Sequence, residues 1–342
     1  MTIKIITIAL VLSYVKLFSQ TVYTKTSEEF NQYHYLIASA ERMQKNDSAL
    51  QAYSKFRDAF ENYKGGVHPT HYFSAAMSAL KIREEFKALD YLEKAITNGF
   101  VIDSNQIKQV NFQSVNTKKE FNTNYKTWTD IRDAKRNHEW EGDLYQATID
   151  GKKYQAANYK AATEAYLACL KNKACNKKAP DFIAKYKLVR EKQKFDSLQV
   201  VKLLADISKY GTFANLSVID KESCATARNI LLNYDADKTN TQLNDVLVKA
   251  LNNSDISPAF YAQLIDKRNI MNGLLPEFYE PIIGFEKTIA TVLPAANAKR
   301  KTIGLHNIIL PSKDKKPVTT AKPAKGAVVS TIKETDKTIY NY

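Results

Sequence analysis

The residues with chemistry to offer are few and scattered. Five histidines serve a chain of 342 residues, which restricts both metal ligation and acid–base work. His68 and His71 stand three apart across Pro69. On one helix they would share a face. The proline suits a first turn, however, and leaves His68 at or before the cap, where a capping or surface role competes with metal binding. His138, Glu139, Glu141 and Asp143 crowd around Trp140. Imidazole and carboxylates suit a divalent ion, and a solvated acidic helix face has the same composition. Asp266, Arg268 and Tyr279 are the best polar set toward the C terminus. A buried Asp–Arg pair would either clasp the structure or orient a ligand.

Cysteine is sparse: Cys169, Cys175 and Cys224. Cys169 and Cys175 can bridge only if the helix ends between them, because a continuous helix holds their Cα atoms roughly 9 Å apart. Cys224 falls with Ala227 and Leu231 on an apolar face and reads as a core thiol. None has the paired spacing of a zinc site. There is no G-x-S-x-G turn, phosphate loop, H-E-x-x-H or calcium loop. The expectation is a chain with no catalytic residues, no metal and no cofactor.

The elements that would carry these residues are helical. Ala52, Phe56 and Ala59 recur 36 residues later as Ala88, Leu92 and Ala95. Upstream, Leu36, Ala40 and Met43 match Tyr72, Ala76 and Ala79. Small residues let helices approach closely and larger ones fill the gaps, the pattern of stacked helical hairpins. The spacing predicts helices over 27–44, 48–63, 69–83 and 86–97. Thr26 with Glu29 reads as a capping box, Asp47 or Ser48 as the second cap, and Asn98-Gly99 as a stop. Over residues 30–100 these hairpins resemble tetratricopeptide repeats, with Leu36 and Tyr72 where the family has an early Trp and without its helix-ending Pro. The resemblance implies a groove walled by the first helix of each hairpin, which puts Tyr35 and Tyr72 forward as partner-binding residues. Core packing is the alternative use of both.

Between 100 and 130 the periodicity fades, and Phe112, Phe121, Tyr125 and Trp128 suggest short capping helices. A third hairpin is expected over 137–171, turning at Asp150-Gly151. Its second-helix positions fall to Tyr159, Ala162, Tyr166 and Cys169 in preference to Tyr154 and Ala157. Residues 171–194 hold nine basic residues against Asp181 and Glu191, a net +7, and read as a basic connector, partly helical at Phe182, Tyr186 and Val189. Helical periodicity returns at Val200, Leu203, Leu204 and Ile207, and again at Leu243, Val246, Leu247, Ala250 and Leu251. Ser257-Pro258 opens a helix and Pro276 a last segment to about Leu293. From Leu203 through Ile256-Ser257-Pro258 to Asp266, this part resembles an uncharacterised bacterial helical domain. Asn233 stands near that family's usual His, and Asp266-Lys267-Arg268 replaces its Asp-Arg. Gly273, Pro276, Phe278 and Tyr279 stand in for its Gly-rich tail.

The fold expected is all-α: a repeat domain over 27–170, a connector over 171–194 and a second helical domain over 195–293. Residues 311–342, rich in Lys, Pro and Thr, are expected to be disordered. Residues 1–20 read as a signal peptide, with Lys4 ahead of the apolar run Ile5–Val15; an N-terminal anchor or a buried helix is the alternative. The implied location is periplasmic or secreted. Of the formal +14, the connector holds +7 and the tail, with seven Lys against three acids, +4. That charge suits an anionic surface or glycan better than nucleic acid in an exported protein, and solubility alone would also explain it. The leading expectation is a protein-binding or scaffold module in the cell envelope, with no transmembrane segment after signal removal. An envelope enzyme acting on glycan or peptide through the C-terminal domain is the competing class, and a structural spacer a third.

Overall fold

The computed structural model describes residues 26–107, 119–171, 175–234, 241–271, 274–280 and 286–308. The expected signal peptide, Phe112, Gly273 and the Lys-rich tail lie outside them. Among the described residues there are helices and no strands. No described helix is long and apolar enough to cross a membrane.

Four helices open the fold: α1 (Glu28–Lys45), α2 (Ala49–Asn62), α3 (Pro69–Lys81) and α4 (Glu85–Thr97). α1 packs along α2 and α3 along α4; α2 also packs on α3, and α1 touches α3. This is the neighbouring-pair packing of helical repeats. The reason lies in side-chain size. Ala40, Ala52, Ala59, Ala76, Ala79, Ala88 and Ala95 are all at most 1 % exposed, so backbones meet closely where they stand. Phe56 and Leu92, fully buried, fill the gaps beside them, each contributing roughly 1.5–3 kcal/mol by burial. The expected Thr26 capping box is replaced by Ser27, whose hydroxyl accepts from the Phe30 amide. Thr26 is committed elsewhere, donating to the Thr302 carbonyl.

A helical turn at Ser104–Ile107 precedes α5 (Lys119–Ala134), which packs on α4 and buries Phe121 and Trp128. Then follow α6 (His138–Gly151), a 3-10 turn at Lys152–Gln155, and α7 (Ala157–Lys171). The third stacked hairpin expected here does not form. α6 lies along α9 (Lys221–Asn233), and α7 lies along α8 (Pro180–Tyr210). The aromatic residues decide this: Tyr154 packs on Phe195 with ring centroids 4.7 Å apart, and Tyr166 on Tyr186 at 5.7 Å. Residues 180–194 are part of α8, which runs unbroken through 31 residues.

α10 (Thr241–Asn252), α11 (Pro258–Met271) and α12 (Glu286–Lys301) complete the chain, with Ser257 capping α11 at the Phe260 amide. The segment expected from Pro276 to about Leu293 is irregular over its described residues up to 280 and helical from Glu286 on, in α12. Residues 274–280 are irregular because the amides of Glu277, Phe278 and Glu280 donate to the Asp266 carboxylate, not to helical carbonyls. The repeat helices and the C-terminal helices share one hydrophobic core running from Phe30 to Ile303. Close backbone contacts hold the two parts together. The Tyr63 hydroxyl donates to the Asn252 carbonyl at 3.0 Å, and the Asn137 amide to the Val218 carbonyl at 2.7 Å.

Gly99 sits in this junction with φ +102°, and a Cβ there would lie 1.6 Å from the Leu216 carbonyl oxygen. Both backbone strain and collision oppose any side chain. Gly99→Ala is expected to cost more than about 1 kcal/mol of stability in urea unfolding, since it must push the repeat and the 212–219 segment apart. An unchanged midpoint would show that the segment yields freely.

Candidate functional site

The first helices of the two hairpins, α1 and α3, share a wall, and the C-terminal part of the chain returns across it. Between them lies a cavity of about 320 Å³. α1 contributes a stripe at helical spacing: His34, Ile37, Ala38, Glu41, Arg42 and Lys45. His68 and His71 enter from the start of α3. The opposite side is built by Ser254–Ala259, Glu280, Arg300 and Gly304–His306. Gly304 is required by proximity, since a Cβ there would come within 2.8 Å of the His34 Cβ.

Four of the five histidines therefore meet at one place. His34 packs against the rings of Phe30 and Tyr33, with centroids 4.3 and 4.8 Å away, and stands 6.1 Å from His71. His71 Nδ1 is 2.7 Å from the Tyr33 hydroxyl. His68 is the N-cap of α3: its Nδ1 accepts from the Thr70 amide and lies 2.7 Å from the Thr70 hydroxyl. His306 reaches over from the C-terminal turn, its Nδ1 3.4 Å from an Arg42 nitrogen and its ring 5.9 Å from that of Tyr35. Nε2 of His34 and of His306 is buried with no hydrogen-bond partner.

Burial keeps these imidazoles neutral. His34 and His68 are held well below the ordinary histidine range, first by desolvation and then by the neighbouring histidines. Desolvation pushes His71 down to about 3. The same burial drives the Tyr33 phenol upward. Charge enters at the rim, where Arg42 and Lys45 are exposed and Glu41 is half-buried, and at Arg300, which is buried but engaged with Glu280. Arg300 donates to the carbonyls of His306 and Phe278 and to Glu280. The site is thus a chiefly apolar chamber with neutral imidazoles inside and charges of both signs at its edge, suited to holding a group more than to transforming one.

The residues put forward from sequence are mostly elsewhere. Tyr35 is 60 % exposed and does not line the cavity, though its ring stands 5.9 Å from that of His306, which does. Tyr72 instead faces α2 and α4, its ring 4.8 Å from Phe60 and 6.3 Å from Tyr91. Asp266 and Tyr279 meet at the 277–280 loop but outside the cavity. Asp266 is 2 % exposed, and its carboxylate accepts three backbone amides, with the Arg300 charge nearby. Desolvation raises it and those amides oppose the rise. Tyr279, at φ 54°, packs on Ala296 and Ile308. Arg268 donates to Asn244 on α10 at 2.7 Å. Cys169 and Cys175 form a disulfide with Cα atoms 5.3 Å apart, and Cys224 is a buried free thiol.

The His138 cluster is a lattice of ion pairs. Glu141 binds Arg136 and the Asp220 amide, and Glu139 binds Lys209. Among the described residues no group of three or more His, Cys, Asp or Glu could hold a metal ion. Sequence reasoning missed His34, Arg42, Arg300 and His306. The α1 stripe was the available signal, since His34, Ile37, Ala38, Glu41 and Arg42 continue one helical face beside the core stripe.

Two outcomes are expected. Asp266→Ala orphans three amides, two of them fully buried, and should cost about 3 kcal/mol or more in urea unfolding, as a structural clasp would. Second, histidines neutral inside and near 6.5 in the unfolded chain contribute stability that is whole above pH 6.5. It is lost as pH falls toward about 3, the value for His71, because the unfolded state takes up protons first. Asp255, pushed up by burial to about 6, works in the opposite sense. Comparing His71→Asn with the parent cancels Asp255. The parent should lose up to about 1.4 kcal/mol more per pH unit between pH 6 and 4, read from urea midpoints.

Comparison with protein-family models, with curated proteins and with solved structures finds no match to this chain.

Proposed function

We propose that the protein is an exported binding module that seats part of a protein or peptide partner in the cavity between α1, α3 and the returning C-terminal segments. The observation that carries this reading is the cavity itself: concave, chiefly apolar, and furnished with a few converging polar groups, as binding sites are. Its volume, about 320 Å³, is at the small end of ligand pockets. One or two projecting side chains of a partner fit, and a whole helix does not. Tyr35, exposed beside His306, is the natural aromatic contact for such a segment. Tyr72 supports the wall from behind. The 36-residue spacing and the paired packing of α1 to α4 support a tetratricopeptide-like origin for that wall.

Export is supported by the apolar run Ile5–Val15 after Lys4, and by the Cys169–Cys175 disulfide, which persists in oxidising compartments. The enzyme reading has less behind it. Asp266, Arg268 and Tyr279 point to three different neighbours, and the Asp266 carboxylate is occupied by backbone amides.

Ala38 lines the cavity without belonging to the core, so Ala38→Phe fills the space from one side. The parent chain, isolated from the envelope fraction, should co-purify with a partner, and Ala38→Phe should lose at least about tenfold of that partner at unchanged thermal stability. Equal recovery by the filled variant would move the binding surface away from the cavity.

A further inference from the structure

The α7–α8 hairpin and α8 carry a surface that the cavity does not use. Residues 152–194 hold twelve Lys and Arg against Glu164, Asp181 and Glu191, a net +9. Cys169–Cys175 closes the turn between the two helices. One face of α8 is covered, with Val189, Asp196, Gln199, Val200 and Leu203 buried. The opposite face is a single exposed stripe. Ile183 and Tyr186 stand at one end, 54 and 39 % exposed, and Leu198 and Val201 at the other, 52 and 63 % exposed. Lys187, Arg190 and Lys194 lie between them, all exposed. From Ile183 to Val201 the stripe runs roughly 27 Å along a continuous helix.

Basic side chains alone would only keep the protein in solution. Here Ile183, Leu198 and Val201 stand on a side of the helix that no other described element covers, and Tyr186 stands at its flank, where its ring also meets Tyr166 of α7. Residues on one line of a rod can all touch a plane at once. Lys and Arg stems can lie along an apolar layer while their heads stay in the polar zone, and a tyrosine suits the boundary between the two. A surface that is planar, anionic and apolar just beneath is a bilayer with acidic headgroups.

We propose that the outer face of α8, from Ile183 to Val201, docks the protein on an anionic lipid surface, with Lys187, Arg190 and Lys194 against the headgroups and Ile183, Tyr186, Leu198 and Val201 entering the interface. The proposal stands independently of the cavity and its partner.

The native tryptophans Trp128 and Trp140 are buried, so Tyr186→Trp in the full chain places one exposed reporter on the stripe. Vesicles of phosphatidylcholine with about a third phosphatidylglycerol, at low salt, should shift its emission to the blue, and pure phosphatidylcholine vesicles should not. In that background, K187E/R190E/K194E should weaken vesicle partitioning at least about tenfold, and I183S/V201S should abolish the blue shift, with circular dichroism unchanged. The readout is local, so attachment through the N-terminal apolar run or the Lys-rich tail does not produce it. An indole unmoved by anionic vesicles overturns the proposal and leaves an acidic protein face as the occupant of the stripe. A shift that is equal on neutral vesicles, or undiminished by charge reversal, overturns it as well.

Discussion

Close approach of backbone to backbone is the constraint on which this structure rests. It is permitted wherever a side chain has been reduced to a methyl group or to nothing. Seven buried alanines bring α1 to α4 into contact, and Gly99 and Gly304 let the later chain settle against them. Because the approach is tight at both levels, the repeat helices and the C-terminal helices build one core and not two. Packing at that density leaves little tolerance: an added methylene has nowhere to go without moving a helix.

The same tightness explains the character of the cavity. Where the C-terminal turn crosses α1 and α3 the fit is incomplete, and the polar groups caught there lose their water. Four imidazoles in such a place cannot all carry charge, since desolvation and their mutual repulsion act in one direction. Their neutrality is a property of the junction more than of any one residue. Arg300 is held by two carbonyls and Glu280, and it ties the final turn to the 278–280 segment that Asp266 grips from the other side.

Much of this was legible in the sequence, and the reasons for what was not are physical. Local signals read well. Alternating small and large apolar residues located α1 to α4 within a residue or two, and Pro69, Gly99 and Ser257-Pro258 marked real boundaries. Local signals misled where a distant group competed for the backbone. Thr26 looked like a cap until Thr302 claimed its hydroxyl, and the segment opened by Pro276 starts irregularly because Asp266 claims the amides of Glu277, Phe278 and Glu280. The pairing of α7 with α8 in place of α6 was set by which aromatic rings meet, a choice that periodicity does not encode. The cavity was the hardest to foresee, because His34 and His306 stand far apart in the chain and neither has a motif around it. By contrast, Asp266 drew attention as one of a polar set with Arg268 and Tyr279, and in the structure its carboxylate shapes the loop that follows.

The bond from Thr26 to Thr302 ties together residues 276 positions apart in the chain. A nascent polypeptide therefore cannot close its inner chamber until almost the last described helix has been synthesised. Until then the histidine-bearing wall of α1 and α3 stays open to water. High contact order of this kind slows the final step of folding and prolongs the life of a half-finished, sticky intermediate.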